Sequence, residues 1–348
     1  MSPANPGTQN TVRRAYRPRR SCLAVPGSSS RFIDKARGLN CDEFFLDLED
    51  AVAPAAKAAA RATVVEALNK GDWSTASAGA SPGGGGKLRA VRVNDAATAW
   101  AHHDVIDVVE GAAANLDVIV LPKVTGPGHV VWLDLLLTQL ERDLGQPVGR
   151  IGIEAQIEDA AGLAAVGAIA AASPRLEALI FGPADFMASL GMRSLGVGIP
   201  PAGYPGDAFY YPLMRILVAA RAHGLLAIDG PYAKIADTEG LTRSATSAAA
   251  LGFDGKWVVH PSQIEPVNRA FTPDQEEYDR AELILEAYQH HTTHEQRGAA
   301  MLDGEMIDEA TSKLAQATAV KGRAAGLPRT KHFQPGQPSQ PDPPAQPS

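Results

Sequence analysis

The chain has 348 residues, of which 45% are hydrophobic and 20% are charged, so it is long enough to bury a large core. Its 32 lysines and arginines are outnumbered by 39 aspartates and glutamates, and the net charge of −7 argues against a nucleic-acid or anionic-membrane protein. No apolar run reaches the roughly 18 residues of a membrane-spanning helix, and the N-terminus has no apolar signal segment. We therefore expect a cytoplasmic globular enzyme with no nucleic-acid or membrane partner.

The two ends of the chain differ in composition from the part between them. Residues 1–18 form a small, polar and arginine-rich arm, and residues 326–348 form a proline-rich tail. We expect both to be disordered because neither composition can bury a core. The stretch from Ser74 to Lys87, which contains four glycines at 83–86, predicts a flexible loop inside the folded part.

Between these ends, short apolar runs alternate with longer segments of helical periodicity. The predicted strands are 22–25, 43–48, 88–93, 117–121, 150–157, 178–181, 225–228 and 256–259. The predicted helices between them are 32–39, 54–69, 101–114, 130–144, 160–172, 209–223 and 241–251. Apolar strands joined by amphipathic crossovers predict a parallel sheet covered by helices, and eight such units match an α/β fold of the (β/α)8 TIM-barrel type.

An open, doubly wound sheet is the alternative fold, but no G-x-G-x-x-G turn follows the first predicted strand. Two further helical segments, 273–290 and 305–324, follow the eighth unit and must pack elsewhere. We therefore predict a TIM-barrel catalytic domain over 19–270 and a C-terminal helical extension over 271–325.

Seven of the eight predicted strands end in, or run directly into, ionisable side chains. These are Asp47, Glu49, Asp50, Arg92, Lys123, Glu158, Asp185, Asp229 and His260. Because the C-terminal ends of barrel strands converge on one face, we expect a polar basin on that rim. The pattern indicates a metal site or an acid–base site and does not by itself name the reaction.

Several motifs follow one another in order along the chain. They are Arg20-Ser21, Leu46-Asp47-Leu48-Glu49-Asp50, Val91-Arg92-Val93-Asn94, Leu121-Pro122-Lys123, Ile157-Glu158-Asp159, Gly182-Pro183-Ala184-Asp185, Asp229-Gly230-Pro231, His260-Pro261-Ser262 and Met306-Ile307-Asp308. Together they resemble the HpcH/HpaI aldolase and citrate lyase β-subunit superfamily of CoA-ester lyases. Residues 182–192 and the long loop that follows are most similar to the malyl-CoA and methylmalyl-CoA lyases.

The resemblance implies a Mg2+-dependent barrel, with Mn2+ as an alternative ion, that acts on a CoA thioester. It also implies a homotrimer or hexamer in which the extension over 271–325 packs on, or crosses to, a neighbouring subunit. Glu158 and Asp185 are the implied metal ligands, and carboxylates suit the preference of Mg2+ for oxygen. Glu49 and Asp50 are implied to hold waters of the ion and so to contribute to substrate binding.

The remaining implied roles concern the reacting carbon atoms and the CoA moiety. Arg92 lies between two apolar strand residues that would face the helices, so it should point into the barrel, where its charge can stabilise an enolate and bind substrate. The resemblance implies that Asp308, from the next subunit, transfers the proton at the acetyl-CoA carbon. It also suggests that Arg20 contacts the CoA phosphates.

The implied reaction is reversible cleavage of malyl-CoA or methylmalyl-CoA into acetyl- or propionyl-CoA and glyoxylate. One alternative is a citryl-CoA or citramalyl-CoA lyase, although citrate lyase β-subunits are typically shorter and lack the long 192–211 loop. Another is a malyl-CoA thioesterase, in which water cleaves the thioester at the same site. A non-catalytic scaffold would carry lesions among the implied catalytic residues, and the sequence has none. The unusual loop at 200–206 should border the acyl pocket, which leaves the acyl chain open.

Two other signals have simpler interpretations. Lys123 could form a Schiff base as in other barrel aldolases, but the superfamily is metal-dependent, so we interpret it as a cation that orients substrate or carboxylates. His290, His291 and His294 lack the H-E-x-x-H order of zinc proteases, with Glu295 only after the last histidine. We interpret these histidines as a solvated helix end.

Overall fold

A computed structural model describes residues 16–70, 73, 86–201 and 203–334. Within these ranges the chain forms two compact units, one ending at Phe271 and the other beginning at Thr272. Most of the predicted flexible loop over 74–87, most of the N-terminal arm and the last part of the proline-rich tail lie outside the described residues. Gly86 and Lys87, at the end of that loop, are described.

The first unit contains eight parallel strands that close into a barrel in chain order. They are β1 (Ser21–Pro26), β2 (Glu43–Asp47), β3 (Leu88–Arg92), β4 (Val118–Leu121), β5 (Gly152–Ile157), β6 (Leu176–Phe181), β7 (Leu226–Asp229) and β8 (Gly255–Val258). Pairing of β1 with β8, with Cys22 opposite Trp257, closes the cylinder. The predicted TIM barrel is confirmed, and each predicted strand lies within two residues of the observed one.

Alternation along each strand divides the core into two layers. In β2, Phe44 and Leu46 belong to the large apolar layer between the strands and the helices. Phe45, between them, belongs to a smaller cluster with Trp257 and Ile180 in the barrel interior. Both faces of the strands are buried, which is why the strands are nearly continuous apolar runs in the sequence.

Helices cover the outside of the barrel. They are α1 (Ser30–Arg37), α2 (Lys57–Asn69), α3 (Ala101–Ala112), α4 (Pro127–Asp143), α5 (Ala160–Ala164), α6 (Val166–Ala170), α7 (Pro183–Ser189), α8 (Tyr210–Ala222), α9 (Thr238–Leu251) and α10 (Ile264–Ala270). The single helix predicted over 160–172 is two short helices that meet at Ala165. The short helices α7 and α10 were not predicted, because seven residues are too few to establish a helical period.

The second unit contains α11 (Gln275–His294), a hairpin of β9 (Ala300–Leu302) and β10 (Glu305–Ile307), and α12 (Glu309–Ala324). The prediction of one helix over 305–324 is wrong for its first residues, which form β10. Asp303 and Gly304 both have positive φ, 51° and 83°, and make the two-residue turn between the strands. Asp-Gly favours that turn, and it fixes the strand pairing before α12 begins. No helix in the described part of the chain has both the length and the apolar character needed to cross a bilayer.

Candidate active site

The C-terminal ends of the barrel strands surround a cavity of about 420 Å3. The charged and polar side chains in its wall are Asp47, Asp50, Arg92, Gln156, Glu158 and Asp185. Pro26, Gly182, Pro231 and Trp257 contribute apolar or backbone surface. The cavity lies within the first unit, at the rim where a TIM barrel carries its active site.

Arg92 is the last residue of β3, and its side chain is buried beside the cavity. Its Nε and Nη2 atoms donate to the two carboxylate oxygens of Asp47 at 2.8 and 2.7 Å. Its Nη1 atom lies 3.0 Å from Oε2 of Glu49, and the guanidinium lies over the ring of Trp257 at 5.3 Å. These carboxylates raise the pKa of Arg92 although burial opposes them. The fork toward Asp47 uses two of the five N–H groups of the guanidinium, which is held rigidly as a permanent cation.

The segment after β2 is held by hydrogen bonds to its own backbone. The carboxylate of Asp47 accepts the N–H groups of Glu49 and Ala51 at 2.9 and 3.1 Å. The buried ammonium of Lys57 donates to the carbonyl oxygens of Leu48 and Glu49, both at 3.0 Å. Asp47 thus fixes the segment and Arg92 together, and Lys57 closes the turn from the helix side.

Glu49 and Lys123 form a close ion pair at the rim. The Lys123 ammonium lies 2.6 Å from Oε1 of Glu49, and it lies 3.6 and 3.7 Å from Asp50 and Asp185. These acids raise the pKa of Lys123 against the effect of its partial burial. For Glu49, burial is the largest cause and raises the pKa, whereas the positive charges of Arg92 and Lys123 lower it. Because Arg92 and Lys123 engage the two oxygens of Glu49, this side chain positions the cations.

Glu158 follows β5 and is a buried acid of the cavity wall. Its Oε1 accepts the backbone N–H of Lys123 at 2.6 Å, and its Oε2 accepts the Nε2 group of Gln156 at 2.7 Å. Burial, followed by the nearby charge of Glu49, raises the pKa of Glu158 to about 8. The raised pKa indicates that the negative charge of this carboxyl is not fully compensated by the side chains around it.

Asp185 lies in the first turn of α7 and is half exposed to the cavity. Together with Glu158 and the acids after β2 it gives five carboxylates, Asp47, Glu49, Asp50, Glu158 and Asp185, around two cations, Arg92 and Lys123. Five minus two leaves an excess of three negative charges when all these groups are ionised. In addition, Oε1 of Gln156 is buried and has no hydrogen-bond partner among the described residues. Unpaired oxygen donors and excess negative charge fit a bound divalent cation.

Gln156, Gly182 and Lys57 are site residues that the sequence reasoning missed. Gln156 alternates with apolar residues of β5 that belong to the outer core layer, and this period-two pattern could have placed it in the interior. A Cβ atom on Gly182 would lie 2.4 Å from Cβ of Glu158 and 2.9 Å from Nε2 of Gln156. Residue 182 must therefore be glycine if Glu158 is to keep its position. Lys57 lies on a helix, where its sequence gives no sign of a buried ammonium.

Arg20 is not at this cavity. It precedes β1, on the amino-terminal rim, where its Nε and Nη2 atoms donate to Asp42 at 2.8 and 2.7 Å. The two rims of a parallel barrel face opposite ways, so Arg20 lies on the rim opposite this cavity and forms an ion pair with Asp42 there. Its predicted contact with the CoA phosphates stays a prediction.

Asp308 belongs to the second unit and caps the N-terminus of α12. Its Oδ1 accepts the backbone N–H of Thr311 at 2.9 Å and the Thr311 hydroxyl at 3.0 Å. These bonds lower the pKa of Asp308, as expected for a carboxylate at a helix N-terminus. Its predicted catalytic role stays a prediction.

A second cavity, of about 450 Å3, also lies in the first unit. Pro183 and Pro231 line both cavities. The unusual loop contributes Pro200 and Gly206 to the second one, and Ile199 adds an apolar surface. The loop therefore borders a space that adjoins the acidic cavity.

Three relatives show what the chain is similar to. An L-malyl-CoA/beta-methylmalyl-CoA lyase of Cereibacter sphaeroides (strain ATCC 17029 / ATH 2.4.9) is 38% identical over 309 residues, covering 86% of this chain and 93% of the relative. A (3S)-malyl-CoA thioesterase of Cereibacter sphaeroides (strain KD131 / KCTC 12085) is 33% identical over 309 residues, covering 88% and 95%.

The crystal structure of protein CitE from Mycobacterium tuberculosis, in complex with magnesium, acetoacetate and coenzyme A, is 30% identical in sequence. It superposes with a TM-score of 0.64 over 87% of this chain and 97% of that chain. Residues 20–261 match the model of the HpcH/HpaI aldolase/citrate lyase family. The chain therefore belongs to the HpcH/HpaI aldolase/citrate lyase family, as its motifs predicted.

Proposed function

We propose that the protein is a Mg2+-dependent CoA-ester lyase that reversibly cleaves malyl-CoA or methylmalyl-CoA into acetyl- or propionyl-CoA and glyoxylate. The observation that carries the proposal is the meeting of Glu158 and Asp185 with the buried Arg92 around one cavity. The 38% identity to a malyl-CoA/methylmalyl-CoA lyase supports the substrate class, and the magnesium and coenzyme A in the CitE complex support the cofactor and the thioester.

Cleavage of such a substrate has two electronic requirements. The hydroxyl proton leaves, the bond between the hydroxyl-bearing carbon and the methylene breaks, and its electron pair remains on the thioester enolate, which then takes up a proton at carbon. Glu158 and Asp185 are the side chains that would hold Mg2+, which when bound acts as a Lewis acid toward the oxygens of the 2-oxo acid. The forming carbonyl and the enolate are both stabilised best by charge that is in place before the reaction, because no reorganisation is then needed.

Arg92 is the residue that supplies positive charge for the enolate. Asp47 fixes its orientation through two hydrogen bonds, and Trp257 excludes water from one face of the guanidinium. A fixed cation stabilises developing charge without reorganisation, whereas water would have to reorient. Lys123 and Glu49 act as positioning residues, since their charges compensate each other at 2.6 Å. Asp50, which lines the cavity, is the better placed of the two predicted acids to contact substrate or ion-bound water.

The proton at the acetyl-CoA carbon is assigned to Asp308. Its lowered pKa keeps it a carboxylate, the form that accepts a proton in the condensation direction. We further propose that the C-terminal unit, predicted as the extension over 271–325, brings Asp308 to the site of a neighbouring copy in a homotrimer or hexamer. Sedimentation measures the size of the assembly. Mixing Asp308→Asn subunits with Arg92→Lys subunits tests the arrangement, and we expect activity to be restored in the mixed oligomer. No activity would be recovered if Asp308 served its own subunit.

A malyl-CoA thioesterase is the second candidate function, favoured by the 33% identity to a (3S)-malyl-CoA thioesterase. In that reaction water attacks the thioester carbonyl and the C–S bond breaks. Coenzyme A leaves as the free thiol, and malate is released with its carbon skeleton intact. The same oxygen ligands and Arg92 would serve both reactions, so the products distinguish them. A citryl-CoA or citramalyl-CoA lyase would release oxaloacetate or pyruvate instead of glyoxylate.

The deciding experiment is a product assay with Mg2+ and malyl-, methylmalyl-, citramalyl- and citryl-CoA. Glyoxylate formed without free thiol identifies the proposed lyase, whereas free thiol in equal amount to malate identifies the thioesterase. Glu158→Gln should abolish either product. Glu265→Gln, which removes an exposed acid of α10 that pairs with Arg269 along the helix, is the matched control and should leave the rate unchanged.

A further inference from the structure

A cluster of histidines and one glutamate lies at the C-terminal end of α11, in the second unit. One ring nitrogen of His290, one of His291 and a carboxylate oxygen of Glu295 all lie within 4.8 Å of one another. His291 Nδ1 is 3.0 Å from one oxygen of Glu295, and His290 Nδ1 is 3.8 Å from the other. One carboxylate therefore faces two imidazole nitrogens at once.

The end of the helix produces this arrangement. Glu295 lies four residues after His291, the spacing that places two side chains on one helical face. Gln296 adopts a positive φ of 54°, and the backbone N–H of Arg297 returns to the carbonyl oxygen of His291 at 3.0 Å. The chain is thus turned back over the last turn, which holds the Glu295 carboxylate against the rings.

The imidazole nitrogens are partly withdrawn from solvent. Nδ1 of His290 is buried and has no hydrogen-bond partner in the described ranges, although most buried polar atoms have one. The ring of Phe333 packs against His290 and His291, with centroids 5.5 and 5.9 Å away. The ring of His294 stacks on that of His290, with 4.9 Å between the ring centroids. The rings are oriented by packing, and a buried nitrogen is left facing a carboxylate.

We propose that His290, His291 and Glu295 bind a first-row transition-metal ion, most simply Zn2+, at a site separate from the acidic cavity. Two imidazoles and one carboxylate, with a fourth position for water, are a common tetrahedral zinc ligand set. Ligand atoms about 2.0–2.2 Å from a tetrahedral zinc ion are roughly 3.4 Å apart. The His291 Nδ1 atom and its Glu295 oxygen, now 3.0 Å apart, would open slightly, and the wider separations, up to 4.8 Å, would close. Mg2+ prefers oxygen ligands, so it does not compete for these nitrogens.

The site is placed to control the segment that follows it. Glu295 begins the connection to the β9–β10 hairpin, and Leu302 and Ile307 of that hairpin pack on Ala287 of α11. An ion bound by Glu295 and the two histidines ties this connection to α11. Metal binding should therefore stabilise the hairpin as well as the end of the helix.

The test uses full-length, tag-free protein stripped of metal and titrated calorimetrically with Zn2+ in the presence of excess Mg2+, the ion proposed for the acidic cavity. One equivalent is expected to bind in the micromolar range or tighter. His290→Gln combined with His291→Gln should weaken this binding more than about a hundredfold. His102→Gln with His103→Gln removes another adjacent pair, with rings 3.9 Å apart on α3, and should change nothing.

Glu295→Gln is the second variant, because an exposed residue after the helix can be changed without unfolding it. It should weaken binding and alter the visible absorption of the Co2+ derivative, which reports the ligand set. The proposal is overturned if wild-type protein binds no Zn2+ below millimolar concentration. It is also overturned if Zn2+ binds undiminished to the folded histidine variant, because the ion would then lie elsewhere. If the histidine variant does not fold, undiminished Zn2+ binding to Glu295→Gln overturns the proposal for the same reason.

Discussion

The backbone N–H of Lys123 donates to Oε1 of Glu158 at 2.6 Å, and Lys123 holds this position with a φ of 49°. A left-handed backbone costs a residue other than glycine about 1–2 kcal/mol, and such strain persists where the surroundings fix it. Here the Lys123 ammonium is fixed by Glu49 on the opposite side. One residue therefore orients both a buried acid and an ion pair at the same rim.

Gly182→Ala should disable the site without unfolding the barrel. The new Cβ would lie 2.4 Å from Cβ of Glu158 and 2.6 Å from its Oε2, so this acid must move. We expect Mg2+ affinity and turnover to fall at least about tenfold. Gly167→Ala, where no atom lies within 4 Å of the new Cβ, is the matched control in a helix and should leave both unchanged. Equal Mg2+ titrations for the two variants would show that Glu158 has room to move.

Arg92→Lys keeps the charge but removes the planar fork. A lysine cannot make both hydrogen bonds to Asp47 and also reach Glu49, so the cation loses its fixed orientation. We expect kcat to fall about a hundred- to a thousandfold, with a smaller change in KM. Steady-state kinetics with saturating Mg2+ measures both. A normal kcat with a raised KM would place Arg92 in ground-state binding only.

Mg2+ affinity should increase with pH up to about pH 8. The pKa of Glu158 is raised to about 8, so below that pH the carboxyl carries a proton that the cation must displace. The apparent dissociation constant should fall about tenfold for each pH unit in this range and level off above it. Calorimetric Mg2+ titrations across pH measure the slope. An affinity that is flat from pH 6 to pH 8 would show that cation binding displaces no proton from Glu158 in this range.

A buried ion cluster at the amino-terminal end of the barrel gives a prediction about stability. Nε of Arg19 lies 3.1 Å from Glu43 and 2.6 Å from Glu154, and Nη2 binds Glu177. Glu43 and Glu154 are fully buried, and burial is the largest cause of their raised pKa. One guanidinium therefore compensates several acids inside the barrel.

Arg19→Met should destabilise the protein by about 3–5 kcal/mol at neutral pH, because it leaves buried carboxylates without a cation. A raised folded-state pKa means that stability is lost as pH rises, so the deficit should shrink when the pH is lowered from neutral and the two acids take up protons. Denaturant unfolding at the two pH values measures the effect. Arg243→Met, at an exposed residue of α9, should change stability by less than about 0.5 kcal/mol. A deficit that does not depend on pH would point to lost packing.

The barrel was predictable because both faces of each strand are buried, which gives continuous apolar runs such as β4 with helical segments between them. The polar basin was predictable because the ends of parallel strands converge on one rim of a barrel. Glu158 and Arg92 could therefore be placed together from the sequence alone. The roles of the individual residues came from the resemblance to a family.

Other features depend on contacts that a linear pattern does not contain. Arg20 and Asp42 are 22 positions apart, and their pairing follows from the register of β1 on β2. The first residues of the helix predicted from 305 form a strand, because the turn at Asp303-Gly304 pairs them with the preceding strand. Helical periodicity in the sequence does not reveal this turn. The return of the Arg297 backbone to the carbonyl oxygen of His291 likewise needed the positive φ of Gln296.

The most direct test is the Mg2+ dependence of glyoxylate release from malyl-CoA by the wild type, Glu158→Gln, Asp185→Asn and the control Glu265→Gln. We predict saturable Mg2+ activation of the wild type and the control, and a loss of about a thousandfold or more in the two site variants, each still folded by circular dichroism. Glyoxylate release that persists in metal-free buffer, or in both site variants, would contradict a lyase built on these two carboxylates.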